Sequence, residues 1–138
     1  MLFYVYDHKN RHPLMGYIRH HAIVVTGFDE KIGSAWHIAS VLFAGIAPVT
    51  PVTDEVVNGY RSFAVLPDGS KEGWEASAEG DDARAEFIDW MRQQENKDGS
   101  SPWSWVEMQY GDDEHDTKVV VHSDEPNGSE CRPYPKED

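Results

Sequence analysis

Asn58-Gly59 stands between two β-prone runs, Val52 to Val57 and Tyr60 to Leu66. Both central residues of a type I′ turn need positive φ, which Asn and Gly tolerate, so this pair is the strongest short-range hairpin signal in the chain. It predicts two neighbouring antiparallel strands, and the remaining elements must be arranged around them. Upstream, Ala22-Ile23-Val24-Val25-Thr26 is continuously apolar rather than alternating. That pattern predicts a central strand covered on both faces. Asp29 is placed to cap a helix from Glu30, in which Ile32, Trp36, Ala39 and Phe43 recur on one face until Gly45 and Pro48 end it.

Pro67-Asp68-Gly69-Ser70 closes the strand that ends at Leu66. Residues 70–80, rich in Gly, Ser, Glu and Lys, read as an exposed loop carrying Trp74. Asp81 or Asp82 then caps a second helix whose Ala83, Phe87, Trp90 and Met91 share a face, stopping near Asn96 to Gly99. Trp103 to Tyr110 and Thr117 to His122 form the last pair of strands. Within it Val106, Met108 and Tyr110 are expected on the buried face, and Glu107 and Gln109 on the wet one.

From residue 22 the order is strand, helix, strand, strand, helix, strand. The expected class is α+β, a ferredoxin-like βαββαβ core with two helices on one face of an antiparallel sheet. An N-terminal strand over Leu2-Phe3-Tyr4-Val5-Tyr6 and the C-terminal hairpin extend it. Residues 1–122 form a single domain, and the polar, proline-rich residues 123–138 are expected to be disordered.

Charge limits the function. The net charge is −13, and residues 68–116 hold 15 Asp or Glu against four Lys or Arg, whereas residues 1–28 hold one acidic and three basic residues. Direct nucleic-acid binding needs basic groups facing phosphates, so it is not expected. A basic protein surface, a cation or solubility alone suits the excess. Cys131 is the only cysteine, which excludes a disulfide framework. No secretory leader is read at the start, and no apolar run reaches the ~20 residues of a membrane span. A cytoplasmic protein with no membrane partner is expected.

Specific chemistry is sparse. Asp112-Asp113-Glu114-His115-Asp116 is the densest set of potential ligands, with Asp112, Asp113 and Asp116 as weak metal candidates, but it lacks an EF-hand's spacing. His20 and His21 precede the central strand and alternate across it, so regular geometry does not aim both at one metal. His8, His12, His37, His115 and His122 are scattered, and His37 lies off the apolar stripe of its helix. Asp68 to Trp74 lacks phosphate-loop spacing and precedes an acidic helix start. Cys131, in a polar tail, has nothing to lower its pKa. No catalytic residue and no cofactor are assigned. Glu72, Trp74, Glu75, Glu79, Asp81 and Asp82 are the candidate partner-binding residues, because an exposed Trp among carboxylates suits an interface anchor.

The stretches Val57-Asn58-Gly59-Tyr60-Arg61-Ser62-Phe63 through Pro67-Asp68-Gly69-Ser70-Lys71-Glu72-Gly73-Trp74, and Trp105-Val106-Glu107-Met108-Gln109-Tyr110-Gly111-Asp112-Asp113, resemble small uncharacterised proteins of bacteriophages and prophages. The resemblance spans residues 15–122 and implies no activity. It implies binding, since small acidic phage proteins often block a host protein. The first expectation is therefore a non-enzymatic protein that engages a basic host surface, as an inhibitor or in an anti-defence role. A small-ligand or regulatory ferredoxin-like module, paired as a homodimer through its sheet, is the second. A metal-dependent hydrolase using the Asp112–Asp116 loop and a histidine is the third.

Overall fold

The computed structural model describes residues 17–111 and 114–124. The elements are β1 (His20–Phe28), α1 (Asp29–Leu42), β2 (Tyr60–Val65), α2 (Glu75–Gln93), β3 (Trp103–Tyr110) and β4 (Lys118–His122). The four strands form one antiparallel sheet in the order β2-β1-β3-β4. The fold is α+β, with β1 central as expected and the β3–β4 hairpin forming one side of the sheet. This strand order is not the classic ferredoxin-like one. The N-terminal strand expected at Leu2–Tyr6, and residues 125–138, lie outside the described residues.

The hairpin signal at Asn58-Gly59 marks a real turn, with φ of 62° and 76°, but its first strand is displaced. Val52 to Val57 is not a strand. Instead residues 48–53 run beside β2: Thr50 N donates to Ala64 O (2.9 Å), Thr53 N to Ser62 O (2.9 Å), and Leu66 N to Pro48 O (2.9 Å). Pro48 and Pro51 have no N–H to give, so a regular ladder cannot form. Two threonine hydroxyls complete it, Thr50 Oγ1 accepting from Ala64 N (2.9 Å) and Thr53 Oγ1 from Ser62 N (3.1 Å). The segment thereby covers the outer edge of β2, which a bare strand would leave open to pairing.

The helices share the face of the sheet that carries Ile23, Val25, Phe63, Val65, Trp103 and Trp105. Against it pack Ile32, Ala35, Ala39 and Phe43 of the first helix region and Ala83, Phe87, Ile88 and Met91 of the second, all buried. Phe87 meets Phe43 edge-on, with ring centroids 6.0 Å apart. His37 is exposed, off the stripe as expected. Asp29 does not cap α1. It occupies the helix's first position, and its carboxylate instead pairs with Arg61.

Three other expectations are corrected. The opposite face of β1 is buried at Ala22 but only half buried at Val24 and Thr26, so the apolar run is covered on both sides only at its start. Helix α2 begins at Glu75, six residues before Asp81, with Trp74 as N-cap residue, so the stretch read as loop is partly helix. The faces of β3 are reversed: Trp103, Trp105, Glu107 and Gln109 point inward and are buried, while Tyr110 is exposed. The two tryptophans decide that parity, since they hold far more apolar area than Val106 and Met108.

Trp103 is held closely. It lies opposite Gly27 in the ladder, stacks on Trp90 at 5.3 Å, and donates from Nε1 to Lys31 O (2.8 Å). A Cβ on Gly27 would lie 2.8 Å from Trp103 Cδ1, so the buried indole, held by Trp90 and Lys31 O, would have to shift. Gly27→Ala is therefore expected to cost about 1–3 kcal/mol through overpacking. Chemical denaturation measures this, and an unchanged midpoint would mean that Trp103 is not pinned.

Candidate functional site

Helix α2 carries opposite chemistries on its two sides. Glu75, Glu79, Asp82, Glu86 and Asp89 are all exposed. Steps of four, three, four and three keep them on one side of the helix, and at 1.5 Å per residue they form a ridge about 21 Å long. Glu75 in the first turn is favoured by the helix dipole. The later carboxylates repel each other by a few tenths of a kcal/mol per pair. No cation of the helix lies among them: Arg84 is buried, and Arg92 stacks over the Trp105 ring at 5.4 Å. Trp74 stands at the head of the ridge, 51% exposed, with Lys71 Nζ 5.9 Å from its ring centroid.

The inner side of the helix's first half covers a polar layer. His21 and Glu107, from β1 and β3, face it from the sheet, and Glu72 joins from the preceding loop. The imidazole contacts a carboxylate at each ring nitrogen, Nε2 lying 3.3 Å from Glu72 Oε2 and Nδ1 3.9 Å from Glu107 Oε2. With the proton on Nε2, the ring donates to Glu72, and Nδ1 is buried without a hydrogen-bond partner. Arg84 joins the layer to the helix. Its Nη2 donates to Asp81 Oδ1 (2.5 Å), and its Nε lies 3.6 Å from Glu107 Oε2. The guanidinium reaches back over Gly80, where a Cβ would lie 3.1 Å from Nη1 and 3.3 Å from Asp68 Oδ2. Glycine inside a helix costs about 1 kcal/mol relative to alanine, and here it makes room for the arginine.

Burial and charge oppose each other in this layer. Burial pushes the Glu107 carboxyl above its ordinary value, Arg84 draws it back down, and Asp81 adds to the rise. Burial, followed by the nearby Arg84 charge, holds His21 below its ordinary value of 6.5, and Glu72 offsets part of this.

The expected site residues therefore separate into two groups. Trp74, Glu75, Glu79 and Asp82 share the outer side of α2. Glu72 is drawn into the polar layer by His21, whereas Asp81 stays exposed and accepts from the buried Arg84 at the layer's outer edge. Neither Asp81 nor Asp82 is a helix cap, since both lie inside α2. Asp112 and Asp113 fall outside the described residues. Asp116 is engaged locally: its carbonyl and carboxylate accept from Gln109 Nε2 (2.7 and 3.1 Å), and it pairs with Lys118 (3.6 Å). Among the described residues no three His, Cys, Asp or Glu side chains are grouped to hold a metal ion, and no helix is long and apolar enough to cross a membrane. On the face without helices, Val24, Val106, Thr26, Ser104, His122 and Asp124 border an open groove of about 300 Å³.

Comparison with known proteins returns no matching family model, curated protein or solved structure.

The polar layer makes stability depend on acid. A histidine held below 6.5 in the folded chain resists a proton that the unfolded chain accepts. Its contribution is therefore present above pH 6.5 and is lost as pH falls from there toward the lowered value. His21→Gln keeps a donor for Glu72 and has no imidazole to protonate. Urea midpoints measured from about pH 7.5 to about pH 5.5, across the ordinary histidine range, are expected to fall less steeply for the variant than for the parent. Parallel curves would show that His21 does not titrate in that window.

Proposed function

We propose that the protein is a non-enzymatic binding module that engages a basic protein surface through the outer side of α2. One observation carries the reading: five carboxylates lie in register from Glu75 to Asp89 on the 19-residue helix, with Trp74 at their head. A ridge of one sign speeds and orients association with a surface of the other, and a half-exposed tryptophan at its end supplies a desolvated anchor. Successive carboxylates stand about 5 Å apart along the axis, so the partner is a surface with several Lys or Arg side chains in a row. Nucleic-acid-binding proteins carry such rows. The open groove on the other face leaves a ligand largely in water, so the small-ligand reading is the weaker one.

The ferredoxin-like assignment is part of this proposal. It is supported by residues 48–53: they pair antiparallel with β2 through Val49 and Val65, and β2 is antiparallel to β1. Counted as an irregular strand, they complete a split βαβ unit with α1 as its crossover.

The test is charge reversal on and off the ridge. Glu79→Lys, Asp82→Lys and Glu86→Lys together are expected to abolish capture of basic proteins by the immobilised full chain. Reversing Glu95, Glu114 and Asp124 changes the net charge equally and is expected to leave capture intact. Equal loss in both variants would make the effect one of net charge alone, and no loss in the first would remove α2 from the contact. Asp81 is left unchanged because its reversal would act on Arg84.

A further inference from the structure

The acidic ridge is not the chain's most conspicuous unexplained surface. At the corner where β1 ends and β2 begins, four large apolar side chains stand in solvent: Val56 is 87% exposed, Val57 62%, Tyr60 47% and Phe28 43%. Single exposed apolar residues are ordinary, but a cluster of four marks a contact. This cluster is not a loose loop. The Phe28 and Tyr60 rings stack at 4.5 Å with 18° between their planes, and Asn58 and Gly59 hold the positive φ of a tight turn. Gly59 N donates to Glu55 Oε2 (3.0 Å), Asp29 N donates to Gly59 O (2.8 Å), and Thr53 N fixes the near end on Ser62 O (2.9 Å). The valines are thus displayed on a fixed frame, and ordering them on binding costs little.

The rim identifies the occupant. Asp29 and Glu30 follow Phe28 in the chain, and Asp54 and Glu55 precede Val56, all exposed. Against them stands Arg61, whose Nε lies 2.9 Å from Asp29 Oδ1 as an ion pair without hydrogen-bond geometry. Lys31 of the next turn reaches Asn96 Oδ1 (2.8 Å) instead. A second copy of the chain would bring the same carboxylates, and a net charge of −13, against this rim. Like charges set face to face across a contact oppose it. We infer that the Phe28–Val56–Val57–Tyr60 corner is a docking surface for a basic amphipathic segment of a protein, its apolar side chains on the four residues and its cations on the carboxylate rim. The contact is separate from the α2 ridge and stands whether or not the ridge binds.

The probe is a labelled peptide helix of alternating Leu and Lys pairs, titrated into the full chain by fluorescence anisotropy, beside two counterparts with Glu for Lys and with Ser for Leu. The parent protein is expected to bind the Leu/Lys peptide more tightly than either counterpart. Val56→Ser with Val57→Ser is expected to weaken that binding about tenfold, the equivalent of losing a few buried methyl groups. Because both residues are exposed, the thermal midpoint of this variant should match the parent, and the ridge variant Glu79→Lys, Asp82→Lys, Glu86→Lys should show the same fold-loss when the two serines are added. Undiminished binding in the serine variant, or parent binding no tighter to the Leu/Lys peptide than to the other two, overturns the inference. So does sedimentation showing a dimer that the two serines dissociate, which would make the occupant a second copy.

Discussion

Arg84 is the side chain on which the arrangement of α2 depends. It is buried, it belongs to the helix, and its guanidinium contacts carboxylates on both sides: Asp81 within the helix and Glu107 on the sheet. Removing a charge from water costs several kcal/mol, and only good partners recover that cost. The arginine therefore fixes the helix's rotation about its own axis. Once Arg84 faces Glu107, the 3.6-residue period sends Glu75, Glu79, Asp82, Glu86 and Asp89 outward together.

The polar layer divides the domain into two unequal halves. Beneath the last turns of α2, Phe87, Ile88 and Met91 pack on an apolar core shared with α1. Beneath the first turns, the contacts are ionic and hydrogen-bonded, through His21, Glu72 and Glu107. Apolar packing adapts to small displacements, whereas a buried charge left without its partner costs several kcal/mol. The first half of the helix is accordingly specified more strictly than it is stabilised.

Much of this was legible in the sequence, and the failures have identifiable causes. Asn58-Gly59 marked its turn because that dipeptide answers a local backbone requirement. Ile32, Ala39 and Phe43 marked their helix because burial there follows one period, whereas Trp36, expected on the same face, lies at the surface with its Nε1 donating to Thr50 O. The strand before the turn was misplaced because Pro48 and Pro51 conceal an edge segment completed by threonine hydroxyls, which no periodicity records. The reversed faces of β3 arose from counting Val106 and Met108 as the apolar set when Trp103 and Trp105 outweigh them. An apolar set of Val106 and Met108 places Glu107 and Gln109 in water, so the polar layer has no signal in the sequence pattern. The early start of α2 was missed because Gly73 and Gly80 read as loop residues, although Gly80 is helical to admit the Arg84 side chain. Glu86 and Asp89 complete the ridge, and only the helix's true start brings them into line with Glu75.

Amide hydrogen exchange in Arg84→Ala tests this dependence most directly. Protection should fall through Ser77–Arg84 and the adjoining Glu72 amide, which donates to Tyr17 O, while Phe87–Gln93 stays protected by its apolar contacts. Unchanged protection in the first half of the helix, or an equal loss along its whole length, would contradict the role assigned to Arg84.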